Sequence, residues 1–162
     1  MSTAWLSLGS NLEPQAHLRA AAQALRQRFP EVRFSPVYRT RAVGFDGPDF
    51  LNCAAVLESD LDVHALNDWL HALEDALGRQ RGGARFSSRT LDIDIVCFDD
   101  LVLEGPGNLE LPRPELRHAF VLKPLFDLAP DFRVPGRDCS LADLWASHRG
   151  DDALVPDPLR LE

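Results

Sequence analysis

With 162 residues, 45% of them hydrophobic and 26% charged, the chain has the makeup of one globular domain with a sizeable core, too short for two large lobes and too apolar for wholesale disorder. A net charge of -8, from 17 basic and 25 acidic residues, argues against general nucleic-acid binding, which favours a basic surface. No apolar run approaches the roughly 18 residues of a membrane span, and the stretch Met1 to Gly9 lacks the basic and apolar segments of a signal peptide, so a cytoplasmic location is expected.

Residues 3–8 read as a first strand, broken by Gly9-Ser10-Asn11. A helix is expected over about 13–28, where Leu18, Ala22, Leu25 and Phe29 form an apolar stripe and Pro30 ends it. Val32 to Tyr38 reads as a second strand with an edge or bulge at Pro36. Residues 41–49 form a loop, and Phe50 to Leu57 a third strand. Asp60 or Asp62 caps a second helix carrying Leu66, Leu70, Leu73 and Leu77 on one face, with Gly78 as its stop. A loop over 79–89 precedes a fourth strand, Leu91 to Phe98. Short helices are expected at Phe120 to Leu128 and Leu141 to Ala146. Residues 1–150 are then one domain, and the tail 151–162, with Pro156 and Pro158, is expected to be loosely held.

The order β-α-β-β-α-β is that of the α+β, ferredoxin-like plan: an antiparallel sheet with two helices on one face, here with added C-terminal helices. Its other face is expected to be free for loops or a ligand. Cys53, Cys97 and Cys139 are widely spaced and odd in number, which supports neither a zinc site nor a disulfide framework. Cys53 and Cys97 lie in apolar strand runs and read as buried, reduced thiols.

The chemistry concentrates in Arg85 to Val96. Strand side chains alternate, so Asp92 and Asp94 share one face about 7 Å apart while Leu91, Ile93 and Ile95 point into the core. Two such carboxylates suit Mg²⁺, which takes one or two of them together with substrate phosphates and water; a plain acidic strand face has the same pattern. The preceding loop carries Arg79, Arg81, Arg85 and Arg89 with no acid among them, and Gly82-Gly83 lets it bend. An arginine loop feeding a pair of aspartates suits a metal–polyphosphate ligand. Lys123 is the one lysine among the 17 basic residues, however, and a GC-rich genome gives the same bias toward arginine.

The run Arg89-Thr90-Leu91-Asp92-Ile93-Asp94-Ile95 resembles the signature of the 6-hydroxymethyl-7,8-dihydropterin pyrophosphokinases. The resemblance extends over roughly residues 3–135. It takes in Leu8-Gly9-Ser10-Asn11-Leu12, Tyr38-Arg39-Thr40, Pro48 to Asn52, Glu74 through Arg81, and Phe120-Val121-Leu122 with Pro124-Leu125. It implies an ATP-dependent pyrophosphokinase of folate synthesis, which moves pyrophosphate from MgATP to the pterin hydroxymethyl group and releases AMP. Asp92 and Asp94 would hold two Mg²⁺ ions, with Arg81 and Arg89 as catalytic cations. His71, Glu74, Arg79, Arg81, Arg89, Arg113, Arg117 and His118 would meet ATP. Thr40, Val43, Phe50, Asn52 and Phe120 would bind the pterin: an Asn amide pairs with its donor–acceptor edge and aromatic rings cover its faces. Core packing accounts equally for the two phenylalanines. A monomer acting on small molecules, without nucleic acid or membrane, is expected.

The chain departs from the pattern at several places. Phe86 stands where the family usually has Trp, Ser87-Ser88 replaces a glycine-containing pair, and Arg41 replaces a common Pro. Arg113 takes a usual His position, Glu110 a small polar one, and the Arg117-His118 segment is one residue shorter. A diverged relative with another pterin or nucleotide, and a non-catalytic ferredoxin-like ligand-sensing module, therefore stand as alternatives.

Overall fold

The computed structural model describes residues 1–42, 47–78, 91–105, 109–150 and 153–161. Its central strands are β1 (Ser2–Ser10) and β4 (Phe50–Ser59), flanked by β5 (Asp92–Phe98) on one side and β3 (Val37–Thr40) on the other. The sheet runs β5-β1-β4-β3-β8, with β8 at Val155–Asp157 and β2 (Val32–Phe34) also on β4. Each of these pairings is antiparallel. A two-stranded ribbon joins β6 (Leu103–Glu104) to β7 (Glu110–Leu111).

Two helices cover one face, as expected. In α1 (Pro14–Arg28) the stripe Leu18, Ala21, Ala22 and Leu25 is buried. In α2 (Val63–Ala76) Val63, Leu66 and Leu70 are buried, and Asp62 is the cap, its Oδ1 accepting from Ala65 N–H at 2.8 Å. They close over Ala4, Leu6 and Leu8 of β1, Leu51, Cys53, Ala55 and Leu57 of β4, and Ile93 and Ile95 of β5. These are alternate residues in each strand, so the period-two pattern translates directly into one buried face.

The opposite face is not left open. After a 3-10 turn at Pro114–Arg117, α3 (Ala119–Leu128) and α4 (Leu141–Ser147) bring Leu116, Val121, Leu122, Leu125 and Leu141 against Ala54, Val96 and Cys97. Trp5 stacks on Phe132 there, with ring centroids 3.9 Å apart. A register shift in the β1–β5 pairing turns both Val96 and Cys97 toward this second core and Phe98 back to the first. One extra residue in a strand reverses the alternation beyond it.

Three boundaries differ from expectation. Gly9 and Ser10 continue β1 because their register with Asn52 and Leu51 of β4 outweighs their breaker character. The second strand splits at Ser35-Pro36, where the Ser35 Oγ accepts from Ala54 N–H at 2.8 Å. The tail over 153–161 is docked rather than loose: β8 pairs with β3, Arg39 meets Asp157 at 3.0 Å, and Leu159 and Leu161 are buried in the first core. Two buried leucines and a sheet edge outweigh the prolines. Among the described residues, no helix is long and apolar enough to cross a membrane.

Candidate active site

Cross-strand register assembles the site. Asp92 of β5 lies opposite Gly9 of β1, Gly9 opposite Asn52 of β4, and Asn52 opposite Tyr38 of β3. Asp94 lies opposite Ser7 in a neighbouring row. Directly opposed residues point to the same face, so both aspartates, Asn52 and Tyr38 share the face that α3 partly covers. Asp92 and Asp94 are half-exposed while Leu91, Ile93 and Ile95 are buried, as the alternation predicts.

Asn52 is 5% exposed, and its Nδ2 donates to Thr40 Oγ1 at 2.8 Å. That bond fixes the amide plane and leaves the carbonyl and a second N–H for other partners. The amide lies across Gly9: a Cβ there would fall 2.9 Å from Asn52 Oδ1 and 3.9 Å from Phe50 Cδ1. Gly9 is thus the clearance that lets the Asn52 amide lie over β1, in the row that continues to Asp92 of β5. Asn11, also buried, donates from Nδ2 to Pro48 O at 3.1 Å and ties the end of β1 to the segment entering β4.

Among the described residues, the outer edge of β5 is finished without another strand. Ile93 N–H, between the two aspartates, donates to Glu74 Oε2 at 2.7 Å, and Arg113 N–H donates to Val96 O at 2.9 Å. Glu74, expected to meet the nucleotide, is 3% exposed and directs a carboxylate oxygen at the strand. His71 sits one turn earlier on α2, half-buried. Arg113 leans over Asp94, with Nη2 3.3 Å from Asp94 Oδ1 and Nε 3.1 Å from Glu115 Oε2.

On the α3 side, the His118 ring lies parallel to Phe120, centroids 5.1 Å apart, and both are half-buried. The Arg117 side chain is exposed, and its backbone carbonyl lies 3.2 Å from His148 Nε2. The Tyr38 hydroxyl donates to Asp127, whose other oxygen takes Lys123 Nζ at 2.6 Å. Burial, reinforced by that carboxylate, pushes the Tyr38 hydroxyl well above its ordinary pKa. Tyr38 therefore links β3 to α3 as a neutral donor. Burial likewise pushes Cys53 and Cys97 up to about 12, which agrees with inert core thiols.

Val43, Arg79, Arg81 and Arg89 lie outside the described residues. Among the described residues no group of three or more His, Cys, Asp or Glu side chains could hold a metal. The two half-exposed carboxylates instead form a partial, hard-oxygen set, which suits a magnesium ion completed by phosphates and water. The parts that sequence did not disclose are the clearance at Gly9, the anchoring of β5 by Glu74 and the Tyr38–Asp127 link. Each depends on strand register or on contacts between distant segments.

A family model described as 7,8-dihydro-6-hydroxymethylpterin-pyrophosphokinase (HPPK) matches residues 5–130. Among curated relatives, the 2-amino-4-hydroxy-6-hydroxymethyldihydropteridine pyrophosphokinase of Pseudomonas aeruginosa is 42% identical over 137 residues, 81% of this chain and 83% of the relative. The enzyme of the same name from Haemophilus influenzae is 33% identical over 156 residues, 92% of this chain and 96% of the relative. A Plasmodium falciparum HPPK-DHPS crystallised with pterin and p-hydrobenzoate superposes with a TM-score of 0.73 at 13% identity, covering 90% of this chain but 41% of that one. That likeness speaks for the fold. The family match spans the strands that carry Gly9, Asn52, Asp92 and Asp94, and with the two bacterial relatives it shows that the chain belongs to the 7,8-dihydro-6-hydroxymethylpterin-pyrophosphokinase family.

Proposed function

We propose that the chain transfers the pyrophosphoryl group of ATP to the hydroxymethyl oxygen of 6-hydroxymethyl-7,8-dihydropterin, as a step of folate biosynthesis. The observation that carries the assignment of roles is the row Asp92–Gly9–Asn52, which brings a carboxylate and an amide together on one face. The hydroxymethyl oxygen attacks the β-phosphorus and forms the new O–P bond. The bond from that phosphorus to the oxygen bridging the α-phosphate breaks, AMP leaves with its electron pair, and the hydroxyl proton is released. Such displacement relies on positioning and charge neutralisation.

Asn52 is the residue to pair with the aminopyrimidinone edge, its amide held in plane by Thr40. Phe50 and Phe120 are the candidates to cover the pterin faces. Asp92 and Asp94 would hold two magnesium ions, which when bound neutralise phosphate oxygens and polarise the phosphorus under attack. Arg81 and Arg89 would supply further positive charge from the segment that precedes β5 in sequence, and Arg79, Arg117 and His118 complete the nucleotide side of the proposal. The net charge of -8 supports small-molecule substrates over nucleic acid.

The test is AMP release from MgATP and 6-hydroxymethyl-7,8-dihydropterin. Asp92→Asn and Asp94→Asn should each lower kcat on the order of 100-fold or more, the scale of removing an electrostatic stabiliser. Their thermal melts should stay within about 1 kcal/mol of wild type, because half-exposed carboxylates add little stability. Wild-type rates in the double variant would sink the reading.

A further inference from the structure

Arg113 makes the site's metal ligand a contested one. Its Nη2 is 3.3 Å from Asp94 Oδ1, an oxygen that the metal would need. The backbone on either side is fixed, with Arg113 N–H donating to Val96 O at 2.9 Å and Arg113 O accepting from Leu116 N–H at 3.0 Å. The guanidinium is therefore placed by the turn beside β5, and departure from Asp94 needs only side-chain rotation. Its hold is also imperfect. The Nε–Glu115 Oε2 contact, at 3.1 Å, is out of line for a hydrogen bond, and both atoms are shut off from solvent without a well-formed one. The side chain is kept there by charge between two carboxylates rather than by aligned donors, so it gives up little directional bonding on leaving.

We propose that Arg113 is a built-in counter-cation of this site: it occupies Asp94 in the absence of nucleotide and transfers to the phosphates when ATP arrives, so that the metal loads with the nucleotide rather than ahead of it. This rests on the metal and ATP reading above. A free divalent ion must displace a permanent positive charge from Asp94. A polyphosphate offers that charge a stronger partner and delivers the metal at the same time.

The experiment titrates Mn²⁺ into the full chain and follows the free ion by electron paramagnetic resonance. Without nucleotide, Arg113→Gln should bind Mn²⁺ about three- to tenfold more tightly than wild type, the scale of one released charge contact. This gain should vanish in an Asp94→Asn background. With a non-hydrolysable ATP analogue present, the order should reverse and wild type should bind more tightly. Arg113→Lys, which keeps the charge but loses the fork, should fall between and serves as the readout if Arg113→Gln does not fold. Equal Mn²⁺ affinities of wild type and variant without nucleotide overturn the proposal while leaving the metal reading intact. Absence of Mn²⁺ uptake by wild type even with the analogue overturns the metal reading, and the proposal with it.

Discussion

A methyl group at Gly9 would press on Asn52 Oδ1 at 2.9 Å, so the two positions act as one unit. Asn52→Ala should weaken pterin binding by about 1–3 kcal/mol, the cost of leaving polar ligand groups unpaired. Gly9→Ala should weaken it similarly by displacing the amide, yet add almost nothing in the Asn52→Ala background. Calorimetric titration of the pterin in the presence of an ATP analogue measures all four corners of that cycle, and additive losses would contradict the contact. The buried thiols make a second prediction. Cys53 and Cys97 ordinarily ionise near 9.0 and are raised to about 12 by burial. Their stabilising effect is complete below the ordinary value and is lost as pH rises through the raised one. Urea melts should therefore lose stability above pH 9 at about 1.4 kcal/mol per pH unit for each thiol, and Cys53→Ala should flatten the slope. At this scale the sequence disclosed types better than partners. Period-two alternation put Asp92 and Asp94 on one face, and the family resemblance singled out Asn52. The neighbours that define them, Gly9 for Asn52 and Arg113 for Asp94, come from strands and turns distant in sequence, which no local pattern encodes.

Among the elements, β5 has the most exacting task, because it is an edge strand that must present two carboxylates. Its outer side is held by the Glu74 carboxylate at Ile93 N–H and by the Arg113 backbone at Val96. Glu74→Gln keeps an acceptor and should fold nearly as well as wild type. Glu74→Leu leaves a buried N–H unpaired and should cost about 1–3 kcal/mol, seen in chemical denaturation, with faster amide exchange at Ile93. Equal stability of the two variants would show that the 2.7 Å bond contributes nothing. The order of the principal strands and helices was legible because each has a clear apolar period. The two-residue strands β6 and β7 were not, since so short a segment carries no period. Nor was the cover on the second face: α3 has apolar residues on much of its surface, with Ala119, Val121, Leu122, Pro124 and Leu125 all buried. Such a pattern says that the helix is buried without saying against what.

For the molecule as a whole, the sheet is the partition between two cores, and the C-terminal segment belongs to the first of them. Deleting residues 153–162 removes the buried Leu159 and Leu161, each worth about 1.5–3 kcal/mol of burial. A fall in Tm of roughly 5–15 °C is expected by scanning calorimetry, and an unchanged Tm would mean that the docking is marginal. The docking follows the Leu-x-Leu spacing of 159 and 161, while the two prolines, from which a loose tail was expected, set a different limit. Pro156 sits in β8 opposite Tyr38, and a proline has no N–H to offer onward. With β8 in place, the sheet ends in a strand that is a poor template for another chain. Without it, β3 would present its own backbone groups to solvent, the arrangement that recruits a strand from a second molecule. The segment is thus a guard against self-association as much as a source of cohesion, and the shortened protein should scatter light increasingly with concentration at temperatures where it is still folded.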